Sequence, residues 1–397
     1  MNARDVVITG VGMVSSLGDG LEAHAAALAD PARVNIDAES FAPYPVHPTP
    51  TLEYDRQIVK KLDQKQMEPW QRLGTYAAGL ALEMAGLKGD KERLSNMLMV
   101  VAAGGGERDY AVDGQILTQM PKEASPGVYL NERLMGDLRP TLFLAQLSNL
   151  LAGNISIVHG VTGASRTFMG EEQAGVDALR IAVERIRARQ GDSFLVGGSF
   201  NAERPDSLLI WAMGRMLRKG AHVPVWSRKD DPGFMLGSGG AFLVLEAREV
   251  AAARGAKPLA VIADIEARRS RRAPGAVAAS LMDCLAAAKP ALAGKKVAVL
   301  SGATGVAPIT DEELSAIRAV LPDAPVRATG TRLGHMIEAQ FPVGIALAVQ
   351  ALQSGALFPA AANSPDEAPS TAAPEAVAVT CVGHQRGEGL AVIVKAD

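Results

Sequence analysis

The sequence predicts an α/β protein in which strands and helices alternate. Three observations carry that expectation. Short apolar runs rich in β-branched residues, such as VVIT at residues 6–9, MLMVV before a glycine triplet, and LAVIVK near the end, have the length of buried strands. Between them, segments such as residues 67–87 (MEPWQRLGTYAAGLALEMAGL) carry apolar side chains at helical spacing. Glycine turns separate the two kinds of run, and their alternation implies mainly parallel central sheets.

In chain order, the first strand (residues 6–9) is closed by Gly10 and Gly12, and SSLGDGLEAHAAALAD then starts a helix. The spacing Gly10, Gly12, Ser15, Gly18 does not form the dinucleotide fingerprint GxGxxG. Residues 32–50 are proline-rich and read as a surface loop. After the helix at 67–87 and the strand MLMVV come Gly104, Gly105 and Gly106, then about thirty aperiodic residues up to Arg139. Loops of that length usually line a site or an interface. LFLAQLSNLLAG reads as helix, ISIVHG as strand, and DSFLVGG as another buried strand. The second half runs from LVLEAREVAAARGA through the strands LAVIADIEA and KKVAVLSG to a long apolar helix after His335, closing on AVAVTCVGHQ and GLAVIVKAD. The similar placing of LVLE and LAVIVK hints at a duplicated unit.

At 397 residues the chain exceeds one ordinary core. Its net charge of −3 argues against nucleic acid or an anionic membrane as partner. Two distant cysteines, Cys284 and Cys381, offer no disulfide framework, and no run approaches a membrane span, so a cytoplasmic location is expected. The six histidines do not stand at zinc-ligand spacing with either cysteine, and neither a GxSxG elbow nor a P-loop is present. No metal or cofactor is expected.

The chain turns on residues 163–186, GASRTFMGEEQAGVDALRIAVERI. A short strand over 165–169 breaks at Gly170 and feeds a helix whose apolar positions are Val176, Leu179, Ile181, Ala182 and Ile186. Glu171 and Glu172 fall in the first turn of that helix, where unpartnered N–H groups and the macrodipole favour an anion.

VVITGVGMVSSLGDG, KQMEPWQRLGTYAAGLALEMAGL, NLLAGNISIVHGVTGASRT, DSFLVGG, DDPGFMLGSGGAFLVLEAREVAAARGA, TRLGHMIEAQ and NSPDE together resemble the β-ketoacyl-ACP synthases of fatty acid and polyketide synthesis, in that family's order across nearly the whole chain. The resemblance implies a thiolase-like fold of two similar halves, here residues 1–245 and 246–397, in a five-layer αβαβα arrangement. It implies a dimer, either of two copies or with an active ketosynthase, whose axis passes near the strand at 165–169. It also implies acyl carrier protein as a partner. Active relatives take an acyl chain onto a cysteine at the start of the helix after that strand, and two histidines and a lysine assist decarboxylation and condensation.

Carried over position by position, most of that set is altered. Glu172 takes the nucleophile's place, Ser301 lies nearest the first histidine and Gly330 at the lysine, while His335 is retained. VGHQRGE replaces the gating loop and brings His384 to the substrate side; Gly105 and Leu142 fall near the floor of the partner's acyl pocket. Lys60, Lys61, Lys65, Arg268 and Arg269 are candidates for docking an acidic carrier protein. A carboxylate holding an acyl group would be a mixed anhydride, far uphill from a thioester, so self-sufficient condensation is not expected. The expected role is a non-condensing, chain-length-factor-like partner subunit serving long acyl chains, with Glu172 in a buried ion pair or hydrogen bond that holds the dimer, Arg166 being a candidate partner. The alternative is an active 3-oxoacyl-ACP synthase or malonyl-ACP decarboxylase with an altered site.

Overall fold

The computed structural model describes residues 4–106, 108–138 and 141–396. Ten strands define the frame: β1 (Val6–Ser15), β2 (Leu98–Ala102), β3 (Ser165–Phe168), β4 (Ser193–Phe200), β5 (Gly239–Ala247), β6 (Ala260–Arg268), β7 (Val297–Ser301), β8 (Val326–Ala328), β9 (Ala376–Val382) and β10 (Glu388–Lys395). They pair in the order β3-β2-β4-β5-β1-β6-β10-β9-β7-β8. The first five repeat the last five: β2 lies parallel to β3 and β4, with β5 antiparallel to β4 and β1, and β7, β8, β9, β10 and β6 reproduce each relation. The halves join where residues 6–8 of β1 meet residues 260–262 of β6. The sheets are therefore mixed. Alternation alone implied parallel pairing, but the hairpin of β9 and β10 inserts antiparallel strands without a helix between them.

Helices fill three of the five layers, around the two half-sheets. α1 (Pro69–Met84) and α2 (Leu150–His159) cover the outer face of the first half. α3 (Glu171–Arg187) and α6 (Gln340–Ser354) lie between the halves, in the largest core. α4 (Ala276–Ala287) and α5 (Ile309–Val320) cover the far face of the second half. Being central, α6 is apolar on every side, with Phe341, Ile345, Leu347 and Val349 all buried. Each such side chain contributes roughly 1.5–3 kcal/mol.

Three local expectations are corrected. β1 does not stop at Gly10 and Gly12 but continues to Ser15, because a side chain at either glycine would strike the backbone of α1. ISIVHG is the end of α2 and not a strand. Its β-branched residues suggested a sheet, yet Leu151, Ala152 and Ile155 are buried while Ile157 is exposed, a one-sided pattern with helical period. Within the aperiodic stretch, of which Glu107 and Arg139 lie outside the described residues, helices form at Tyr110–Gln119 and Pro126–Gly136. Their apolar residues Leu117, Val128, Leu134 and Met135 are exposed, so no stripe faced a core to give the usual period.

Candidate active site

β3 ends at Phe168, and the chain enters α3 through Gly170 (φ +125°) and Glu171 (φ +57°). A left-handed glutamate is costly, and such strain collects where a structure must aim the next side chain. That next residue is Glu172, which is 1% exposed.

Two histidines meet it. His335 follows the short helix Gly330–Leu333 and places Nε2 2.7 Å from Glu172 Oε1. His384, in the β9–β10 turn, places Nδ1 2.6 Å from the same oxygen and Nε2 3.0 Å from Thr304 Oγ1. A carboxylate only accepts, so each of those histidine nitrogens donates. Burial raises the Glu172 carboxyl, but His384 and His335 outweigh it and hold the group well below the usual carboxylate range. Burial in turn lowers the His335 imidazole, against the pull of Glu172. The Gln340 side chain also pulls the ring toward its charged form. The donor atoms of Glu172, His335 and His384 lie within 4.8 Å of one another, close enough to surround an ion. Their N···O separations are nevertheless those of direct hydrogen bonds.

The turn that carries His384 is fastened from behind. Arg272 Nη1 lies 2.6 Å from Glu388 Oε1, its Nε donates to the Gly383 carbonyl at 3.0 Å, and its Nη2 donates to the Gly387 carbonyl at 3.0 Å. Ser270 and Ser280 also donate to Glu388, whose side chain is fully buried. Arg272 thus belongs to the interior and not to a basic rim, whereas Arg268 and Arg269 are exposed, Arg269 pairing with Asp177 at 3.0 Å.

The other expected positions separate. Ser301 is buried and donates to Glu313 at 2.6 Å, away from Glu172. Gly330 is buried, with the Ala303 carbonyl 3.1 Å from where a Cβ would stand. Arg166 is not the partner of Glu172: it lies on the exposed β3, without an ion-pair partner among the described residues. Lys60, Lys61 and Lys65 are exposed, Lys61 pairing with Asp55 at 2.6 Å.

A cavity of about 320 Å³ opens nearby, lined by Gly104, Gly105, Gly106, Trp70, Trp211 and Glu338 among others. Neither Leu142, which is buried, nor His384 lines it. Neither Gly104 nor Gly105 has a positive φ, so no tight-turn dihedral demands them. Gly105 faces open space, and a side chain at Gly104 would collide with the Glu338 carboxylate. Arg204 braces this edge, donating to the Gly105 and Gly106 carbonyls at 3.0 and 2.7 Å and pairing with Asp206, which accepts from Tyr110 at 2.6 Å. Sequence reasoning missed Arg204, Asp206, Tyr110 and Glu338. Only Glu338 left a signal, a lone carboxylate within the apolar run HMIEAQFPVGIALAV.

Comparison with known proteins agrees with this architecture. The family model for the β-ketoacyl synthase N-terminal domain matches residues 3–251, and the chain belongs to the β-ketoacyl synthase family. It is 27% identical over 270 residues to 3-oxoacyl-[acyl-carrier-protein] synthase 2 of Vibrio cholerae, a match covering 65% of this chain and 61% of that protein. It is 30% identical over 268 residues to the tetracenomycin polyketide synthase ketoacyl synthase beta subunit of Streptomyces glaucescens, covering 63% of this chain and 60% of that one. The matches thus span about three-fifths of these relatives' length. Among solved structures, the ishigamide ketosynthase/chain length factor superposes with a TM-score of 0.81 at 21% identity, covering all of both chains. Among the described residues no helix is long and apolar enough to cross a membrane.

Proposed function

We propose that this chain is a non-condensing partner subunit of an active ketosynthase, acting in the cytoplasm on acyl chains tethered to acyl carrier protein. One observation carries the reading: the nucleophile's place holds a buried carboxylate whose Oε1 already accepts hydrogen bonds from both nearby histidines. That arrangement consumes the groups a ketosynthase needs for condensation. A carboxylate at a helix N-terminus flanked by two imidazoles is a stable anchor and a poor acyl acceptor.

The surface supports a paired state. β3 is the terminal strand of its half, with an exposed edge, and Met169, Phe143, Leu209, Ile210 and Met213 are exposed apolar residues elsewhere in the first half. The polyketide relative described as a beta subunit and the ketosynthase/chain length factor neighbour fit the same role. Lys60, Lys61, Lys65, Arg268 and Arg269 supply exposed positive charge for an acidic carrier protein.

The test uses purified chain with malonyl-ACP and acyl-ACP. Alone it should yield no ketoacyl product and little acetyl-ACP, whereas co-expression with an active ketosynthase should yield a mixed dimer. Elongation by the chain alone, or a covalent acyl adduct on Glu172, defeats the reading.

A further inference from the structure

The cavity beside the Glu172 cluster has mixed chemistry. Trp70, Phe200, Ile210 and Trp211 give it apolar walls, yet Glu338 presents a carboxylate to it while being only 6% exposed. Burial pushes that carboxyl up to about 7, with Glu172 adding to the effect. No hydrogen bond from another residue reaches it among the described residues. Its oxygens face the cavity, where Arg204 also lies and draws the carboxyl toward the charged form. Whatever fills the cavity must supply their hydrogen bonds, and a pocket meant only for a saturated tail has no use for such a group. Gly104 is the complementary feature, since the space a side chain would take there is filled by the Glu338 carboxylate. Glycine and glutamate come from opposite halves of the chain and fit each other. Beyond them, Gly105 leaves room for a ligand.

Resting on the reading that this cavity receives an acyl chain, we infer that Glu338 is a specificity residue, selecting chains whose far end carries a hydroxyl that donates to its carboxylate. The aromatic walls hold the hydrocarbon body, and Glu338 takes the hydrogen bond that water would otherwise supply. A hydroxyl reaching it gains a hydrogen bond with the carboxyl in either protonation state, whereas a methyl end displaces the cavity's water and leaves the carboxyl unpaired.

The experiment measures binding of decanoyl-pantetheine and 10-hydroxydecanoyl-pantetheine to the 397-residue chain by calorimetry. The hydroxylated probe should bind about tenfold tighter. Glu338→Leu should abolish that preference. Should the leucine variant fail to fold, Glu338→Gln carries the test: its neutral amide should cut the preference to about twofold. Equal binding of both probes to the unmodified protein, binding of neither, or a preference that survives both substitutions overturns the inference. Its failure is separable from that of the partner-subunit reading. A chain that forms the mixed dimer but binds both probes equally refutes only the selectivity, and a chain that condenses unaided while preferring the hydroxyl refutes only the partner role.

Discussion

Glu172 and His384 stand 212 positions apart in sequence, and Glu172 Oε1 lies 2.6 Å from His384 Nδ1. With His335 on the same oxygen, the contact ties the start of α3 to the β9–β10 turn across the middle layer. Removing the carboxylate strands two buried donors. Glu172→Ala should therefore lower unfolding free energy by about 3–5 kcal/mol in urea titrations, and Glu172→Gln, which keeps an accepting oxygen, by distinctly less. Equal stability of the alanine variant and the parent would show that the cluster does not hold the layers together.

Acid should destabilise the protein. Because burial lowers the His335 imidazole, the unfolded chain takes up a proton first as pH falls below about 6.5, and stability present above that pH is lost. His47 and His159, lowered by burial to about 3 and about 4, act with the same sign. Glu172, held low, adds a second loss once the unfolded carboxylate protonates below about pH 4.5. Carboxyls raised by burial, Glu338 to about 7 and Glu313 and Glu367 in the same direction, take up protons first in the folded state and oppose this loss. The test is therefore a difference: between pH 7 and 5, His335→Gln should lose less melting temperature than the parent, and an equal or larger loss contradicts this assignment.

Arg272 fastens the turn that presents His384. Arg272→Ala leaves Glu388 buried without its counter-ion and should cost about 3–5 kcal/mol. Amide exchange across residues 383–387 should accelerate in parallel. Unchanged protection there would assign Arg272 to some other task.

Restoring sulfur alone should not restore chemistry. Glu172→Cys should yield no ketoacyl product from malonyl-ACP and acyl-ACP, because Ser301 is committed to Glu313 and Gly330 has no side chain. Sustained turnover by this variant would show that His335 and His384 suffice.

Gly105 faces open space, so isoleucine fits there without strain and fills part of the cavity. In a reconstituted pair, Gly105→Ile should shorten the acyl products, read by mass spectrometry. Identical product lengths would remove the cavity from the path of the growing chain.

The alternation of strands and helices, and the strand-turn-helix around Glu172, were legible because apolar periodicity and glycine breaks are local signals. ISIVHG was misread since β-branched residues on a half-exposed helix look like a strand until their burial is known. Helices at Tyr110–Gln119 and Pro126–Gly136 escaped because their apolar residues face outward. Within the site, Glu172 and His335 could be placed from residue order, but the second imidazole comes from a β-turn, and only tertiary packing brings His384 to the carboxylate. Arg166 was chosen by proximity in sequence, and a strand edge proved to point it at solvent. The pairing of Gly104 with Glu338 spans the two halves and leaves no local trace.

The bare margin of β3 has a consequence for how the polypeptide is produced. Unsatisfied main-chain groups on a sheet border recruit any extended segment at hand, including another copy of the same border. Synthesis in step with a partner that caps that margin is expected to raise the soluble yield, and a surplus made alone to lower it.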